Sequence, residues 1–326
     1  MILRFMAYFR SRLLLALIMG TQLAASGAET SFKAAGRITC EVFSQDALER
    51  SWVRDFKFAV DGCHWTVESF NTEESFYALK SYEDGIIHNV GRVPASTNTA
   101  MNKYASVVEN EDVPRDDTSG ISFVWLAYCS ACYLNSVADN KFKPIWLLED
   151  LTLRNEGFTM QGFLKREDGG LPREMTYFHD GLIYARMKGT GRITLRAPPP
   201  FQDGFTNAIY RALETTNVGA FKIPLKFEFL RFGVPGGSAA TLSVRCKITG
   251  ELKSTVANAV ASDFAPKLEG RTYVQDTRFR KSDVPIPVLK YNTTNVQFLK
   301  SDDPKLLSER ANAIRLREIA NPQRPN

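Results

Sequence analysis

The sequence predicts an α+β fold: mainly an antiparallel sheet, covered by a few helices and followed by a C-terminal helix. Three observations point to it. From residue 34 to 93, short alternating apolar runs follow one another with no helix between them, the pattern of a meander and not of βαβ units. Asp-Gly pairs recur between such runs, at Asp61-Gly62, Asp84-Gly85 and Asp180-Gly181, a strong local hairpin signal. The stretch "ISFVWLAYCSACYL", Ile121 to Leu134, is apolar at 12 of 14 positions. That is long for a strand and apolar on nearly every side, which predicts a buried helix.

Residues 1–28 read as an export signal: Arg4, Arg10 and Arg12, then the apolar run "LLLALIMGTQLAA", then the small residues Ser26, Gly27 and Ala28. Gly20, Thr21 and Gln22 interrupt the run, so it does not read as a membrane span. The expected mature chain is exported, periplasmic or extracellular, with no transmembrane span. The segment holds three Arg and no acid, so removing it lowers the net charge from +5 to +2. Bulk charge then gives no reason to expect nucleic acid. The rest divides into a β-rich domain over 29–255 and a C-terminal arm over 256–326 with strands and a terminal helix.

Taken in order, "GRITCEVF" (37–44), "VRDFKFAV" (53–60) and "CHWTVESF" (63–70) are strands, followed by "FYALKSY" (76–82) and "GIIHNVGRV" (85–93). Residues 105–113 read as a strand or an irregular extension. Asp117, Thr118 or Ser119 can cap the buried helix. "IWLLEDLTLR" (145–154) mixes strand and helix signals. Strands resume at 158–166, then at 173–187 as a hairpin over Asp180-Gly181, and at 191–196. The segment "APPPFQDGF" (197–205) reads as a rigid extended connector and 206–217 as a short helix. Residues 220–232 and 240–252 are long strands. Asp302 or Ser301 caps the terminal helix, with Pro304 in its first turn.

The five cysteines are Cys40, Cys63, Cys129, Cys132 and Cys246. Export permits disulfides, and an odd number leaves at least one thiol unpaired within the chain. Cys40 and Cys246 can be bridged if their strands are neighbours. "FVWLAYCSAC" with "GGLPREMTYFHDG" resembles the thioredoxin family, which implies Cys129 as nucleophile, Cys132 as resolving thiol and Pro172 as a cis-proline beside them. Such chemistry needs Cys129 at a helix N-terminus, where the dipole lowers a thiol pKa. Ser-Ala stands where that family has Gly-Pro, and Arg follows Pro172. No metal or cofactor is expected: the three histidines, His64, His88 and His179, lie at no ligand spacing to the cysteines, and read as surface or rim residues. His64 and Cys63, adjacent on a strand, point to opposite faces. Glu73, Glu74, Glu109 and Glu111 have no spacing that sets them apart from solvated loops.

The alternating strands, the hairpin "YALKSYEDGIIHNV" and the apolar helix of an exported chain resemble the LolA/LolB-like family. "WLAYCSACYL" and "PPPFQDGFTNAIY" are also similar to uncharacterised exported proteins of Verrucomicrobia-type bacteria. The LolA/LolB resemblance implies a curved, half-open β-barrel plugged by helices, with a hollow face for acyl chains. With 22 Phe and 11 Tyr in the chain, the expected sheet–helix interface is Trp65, Trp125, Tyr128 and Trp146, the candidate ligand-binding residues. The expected function is a non-catalytic envelope protein that binds a lipid or other apolar ligand. The alternatives are a thiol–disulfide oxidoreductase using Cys129 and Cys132, and a scaffold whose C-terminal helix docks on an envelope protein partner.

Overall fold

The computed structural model describes residues 31–44, 47–94, 101–109, 114, 119–136, 159–167, 169–187, 191–219, 221–234, 241–266, 268, 272–278, 289–293, 298–300, 302–308, 311, 312 and 315. The meander is present as six strands: β1 (Ser31–Ser44), β2 (Ala47–Asp61), β3 (His64–Asn71), β4 (Phe76–Glu83), β5 (Ile86–Pro94) and β6 (Met101–Glu109). Two short helices follow, α1 (Ile121–Tyr128) and α2 (Ala131–Ser136). Then come β7 (Thr159–Arg166), β8 (Pro172–His179), β9 (Leu182–Met187), β10 (Gly191–Arg196), β11 (Phe205–Val218), β12 (Phe221–Gly233) and β13 (Ser243–Ala257). The arm adds β14 (Thr272–Asp276) and β15 (Leu289–Thr293).

All but β9 and β10 join one 13-stranded sheet, ordered β15-β14-β6-β5-β4-β3-β2-β1-β13-β12-β11-β8-β7. β1 is its seam: it pairs antiparallel with β2 on one side and with β13 on the other. Its period-two pattern buries Phe32, Ala34, Ile38, Cys40 and Val42 on one face. Register carries this inner face outward to Phe56 and Phe58 on β2, Trp65 and Val67 on β3, and Phe227 and Phe229 on β12.

The sheet is curved. α1 touches β2, β3, β4 and β12, although four strands lie between β4 and β12. Five strand spacings of about 4.8 Å would set those two roughly 24 Å apart in a flat sheet, while a helix is only about 10 Å wide. Glycines on the seam let aromatic rings lie across the inner face. Gly36 faces Phe56 and Gly250 faces Phe227 across their ladders, and a Cβ at either position would run into the opposing ring. Register irregularities at Ala35/Gly36, Val42/Phe43 and Arg231/Phe232 add local bends.

A second, smaller core lies on the opposite, outer face. It joins Ala105 and Val107 of β6 to Leu268, Val274 and Tyr291 of the arm, with Ile86, Val90, Phe298 and Leu299 packed against them. The arm thus extends the sheet, β14 pairing parallel with β6, and also covers its outer face. Asp276 and Arg278 are buried as an ion pair with a 2.6 Å contact, and the same guanidinium donates to the Leu299 carbonyl at 2.6 Å. The His88 ring lies tilted against Phe298, with ring centroids 4.8 Å apart. Burial first, and the Arg278 charge second, push its pKa down to about 4.

Several expectations need correction. Residues 206–217 form β11, not a helix. Pairing with β8 and β12 on both sides decides the conformation, and Leu213 is left 55 % exposed. Asp61-Gly62 and Asp84-Gly85 turn hairpins, whereas Asp180-Gly181 does not: β8 already has β7 and β11 on its two edges, so β9 pairs with β10 in a separate ribbon. Residues 199–203 form a turn, with a cis bond at Pro199–Pro200, in place of an extended connector. The apolar run breaks into two helices at Cys129 and Ser130. The terminal helix is capped by Asp303, whose carboxylate accepts from the Lys305 N–H at 2.9 Å. Residues 145–154 lie outside the described residues.

Two outcomes follow. Gly250→Ala should destabilise the protein by about 1–3 kcal/mol, the usual cost of overpacking, seen as a lower denaturant midpoint at constant slope. The His88 contribution is fully present above about pH 6.5, where the unfolded imidazole is also neutral. It is lost as pH falls towards about 4, because the unfolded state then binds the proton first. At most it amounts to about 3 kcal/mol. Amide protection factors in β14 and β15, each corrected for the intrinsic exchange rate at that pH, should therefore fall on acidification in the wild type and much less in His88→Gln; an equal fall would refute the assignment.

Candidate functional site

The inner face around α1 brings most of the expected residues together. Gly120 opens the helix with φ 84°, its position packed against Trp52 and Ile38. The Ser119 hydroxyl accepts from the Ile121 N–H at 3.2 Å, and Ser69 donates to the Ser119 carbonyl at 2.6 Å. All eight residues of α1 are buried. Tyr128 stacks on Phe58 at 4.7 Å, Trp125 lies 6.3 Å from Trp65, and Phe123 lies 5.0 Å from Phe229. Trp65, Trp125 and Tyr128 thus form one aromatic layer between helix and sheet. Trp146 lies outside the described residues.

Within this apolar layer two polar atoms stand out. Tyr128 and Tyr210 flank the Phe227 ring, with centroids 5.9 and 5.8 Å away. Both residues are buried, and neither phenol has a hydrogen-bond partner among the described residues. Burial pushes both phenols well above their ordinary pKa, with the nearby Tyr210 charge adding to the rise at Tyr128. Both are therefore protonated donors. A buried hydroxyl without a partner costs about 1–3 kcal/mol. Tyr210 was missed in the sequence because its segment read as a helix. A period-two reading of Ala208, Tyr210 and Ala212 would have placed it on the inner face.

The cysteines do not form the pair that the oxidoreductase alternative requires. Cys132 is bonded to Cys63, in the β2–β3 turn, with Cα atoms 5.2 Å apart. That bond fastens α2 to the sheet. Cys129 is a buried free thiol at the C-cap of α1, and burial pushes its pKa up. A redox centre needs the reverse: a low-pKa thiol at a helix N-terminus with its resolving partner available. Pro172 opens β8 beyond the turn from β7. Cys40 and Cys246 do sit on adjacent strands, yet the register offsets them by two residues, opposite Ile248 and Val42 respectively. Their sulfurs are 3.9 Å apart and both remain thiols.

The histidines are scattered. His64 contacts Asp84 at 3.3 Å in the open. Contrary to the expectation of surface residues, His88 is covered by Phe298 and His179 is buried, its Nδ1 accepting from the Gly181 N–H at 3.0 Å while its ring stacks on Phe205. Among the described residues no three His, Cys, Asp or Glu side chains cluster as a metal site, and no helix is long and apolar enough to cross a membrane.

The sequence matches no protein-family profile and no curated protein. Among solved structures it is similar to the crystal structure of a DUF1329 family protein from Desulfovibrio piger, with a TM-score of 0.28 and 8% identity over 74% of this chain and 92% of that one. So low a score carries no argument about what either protein does.

Proposed function

We propose that the protein is an exported, non-catalytic binding protein of the bacterial envelope with a LolA/LolB-like half-barrel. It takes an apolar chain with a polar head on the inner face of its sheet, where α1 serves as the plug. The observation that carries this reading is the pair of unpartnered phenols, Tyr128 and Tyr210, inside an otherwise apolar layer. A ligand whose head accepts hydrogen bonds from them would relieve their cost.

The energetics permit an exchange. Lifting α1 would return Ile121, Phe123, Val124, Trp125 and Leu126 to water, at about 1.5–3 kcal/mol each, on the order of 10 kcal/mol in all. An acyl chain of about sixteen carbons entering in its place recovers about 0.8 kcal/mol per CH₂, a similar sum. Gly120, in the left-handed region, is a natural hinge at one end. The Cys63–Cys132 bond limits travel at the other.

The test uses a dansyl-labelled fatty acid. It should bind saturably, and faster after the bond is removed in the Cys63→Ser/Cys132→Ser variant. Losing that bond should also cost about 4 kcal/mol of stability on loop-entropy grounds. Tyr128→Phe should raise the stability of the empty protein by about 1 kcal/mol, since it deletes an unpaired buried hydroxyl, while weakening fatty-acid binding about tenfold. No saturable binding to either the bonded or the unbonded protein would refute the proposal.

A further inference from the structure

The seam between β1 and β13 holds two thiols that the fatty-acid reading leaves unused. Cys40 and Cys246 are both buried in the inner core, and their sulfurs lie 3.9 Å apart. The register sets them diagonally: Cys40 lies opposite Ile248, and Cys246 opposite Val42. Diagonal neighbours in an antiparallel pair are about 7–8 Å apart, beyond the roughly 4.4–6.8 Å that a disulfide spans between Cα atoms. The ladder thus aims two sulfurs at each other from positions that do not suit a covalent bond. An ion between them suits those positions better. A metal–thiolate bond is about 2.3 Å long, so two in line set the sulfurs about 4.5 Å apart. A small side-chain rotation covers the difference.

The surroundings supply charge and a way in. The hydrogen bond with Cys40 and burial push the Cys246 thiol up, while the positive charges of Arg231 and Arg50 pull it down. Arg231 is buried directly across the β12–β13 ladder from Cys246. Arg50 stands opposite Val42 across the β1–β2 ladder. Binding a monovalent ion displaces both S–H protons: M⁺ and two thiols give a bis-thiolate complex of charge −1 and two H⁺. Cations beside that complex lower the cost of burying it. Among the described residues, Val42 and Cys246 form the last rung of the β1–β13 ladder. The end of a ladder opens locally at lower cost than its centre, which gives an ion its entry.

The donors select the ion. Two thiolates are soft ligands and favour Cu(I) over the hard cations that oxygen holds. Structural Zn(II) takes four ligands, and among the described residues no third His, Cys, Asp or Glu joins the pair. An iron–sulfur cluster likewise needs four ligands. Two sulfurs in line satisfy a monovalent d¹⁰ ion without further help. We propose that Cys40 and Cys246 form a buried two-sulfur site for Cu(I) at the end of the β1–β13 seam. The site holds the ion away from water, and its occupation ties together the two strands on which the sheet closes around α1.

Anaerobic titration of the full chain, its Cys63–Cys132 bond intact, with Cu(I) supplied as the bicinchoninate complex tests this. One Cu(I) per chain should pass to the protein, and the affinity should rise with pH because protons are displaced. X-ray absorption should show two sulfur neighbours. Cys40→Ser and Cys246→Ser should each weaken binding about a hundredfold or more, beyond the usual cost of losing a group that only orients a ligand. Circular dichroism checks that each variant folds; Cys40→Val, apolar and suited to a strand, replaces a serine variant that does not. Cys129→Ser and Tyr128→Phe should leave binding unchanged, so this inference and the fatty-acid proposal stand or fall separately. The inference is overturned by no transfer of Cu(I), by transfer that survives the loss of Cys40 or Cys246, by transfer that requires Cys129, or by equal affinity for Zn(II). It is also overturned if the denatured protein shows one thiol and not the three of Cys40, Cys129 and Cys246, since the pair would then be a disulfide.

Discussion

The contact of one short helix with strands on both sides of the seam is the constraint from which the rest of the architecture follows. α1 reaches β4 and β12 at once, so the strands between them must wrap around it. Wrapping brings the inner face together and leaves little room for protruding side chains at its centre. That is why the seam strands β1 and β13 carry glycine at Gly36 and Gly250, beneath the rings of Phe56 and Phe227. Aromatic rings are the efficient filler under these conditions: each buries a large area and packs edge-on or offset against its neighbours. The Phe58, Tyr128, Phe227 and Tyr210 sequence of contacts joins β2, α1, β12 and β11 in that way.

Curvature also makes the two faces different surfaces. The inner face is apolar and packed, with its few polar atoms costly to hold. The outer face is charged and hydroxyl-lined, and among the described residues the arm covers part of it. The arm does so by extending the sheet through β14, by its own small core, and by the buried Asp276–Arg278 pair. Desolvating that pair is expensive, so its value lies less in net stability than in fixing one way for the arm to dock.

What the sequence revealed followed local physics. The meander was legible because alternation and the turns at Asp61-Gly62 and Asp84-Gly85 are local signals, and both turns appear where expected. The buried helix was legible from its composition, and with it the burial of Trp65, Trp125 and Tyr128. The misreadings arose where distant partners decide. β11 has local residues that suit a helix, yet two neighbouring strands claim both its edges. β9 follows an apparent hairpin turn but cannot use it, because β8 has no free edge. The parallel pairing of β14 with β6 has no local signature at all.

The cysteines make the same point chemically. Cys129 and Cys132 are close in sequence, so a pairing between them is what a local reading suggests. Breaking the apolar run after Cys129 turns the two side chains into different surroundings: Cys129 goes into the core, and Cys132 meets Cys63 from the β2–β3 turn, 69 residues away in sequence. The bond therefore links a helix to the sheet it covers. Packing already holds α1 against the strands, so the bond acts where packing is thinner, on α2, of whose residues only Leu134 is buried. Under the binding proposal, the same tether would limit how far the helical segment travels when a ligand enters.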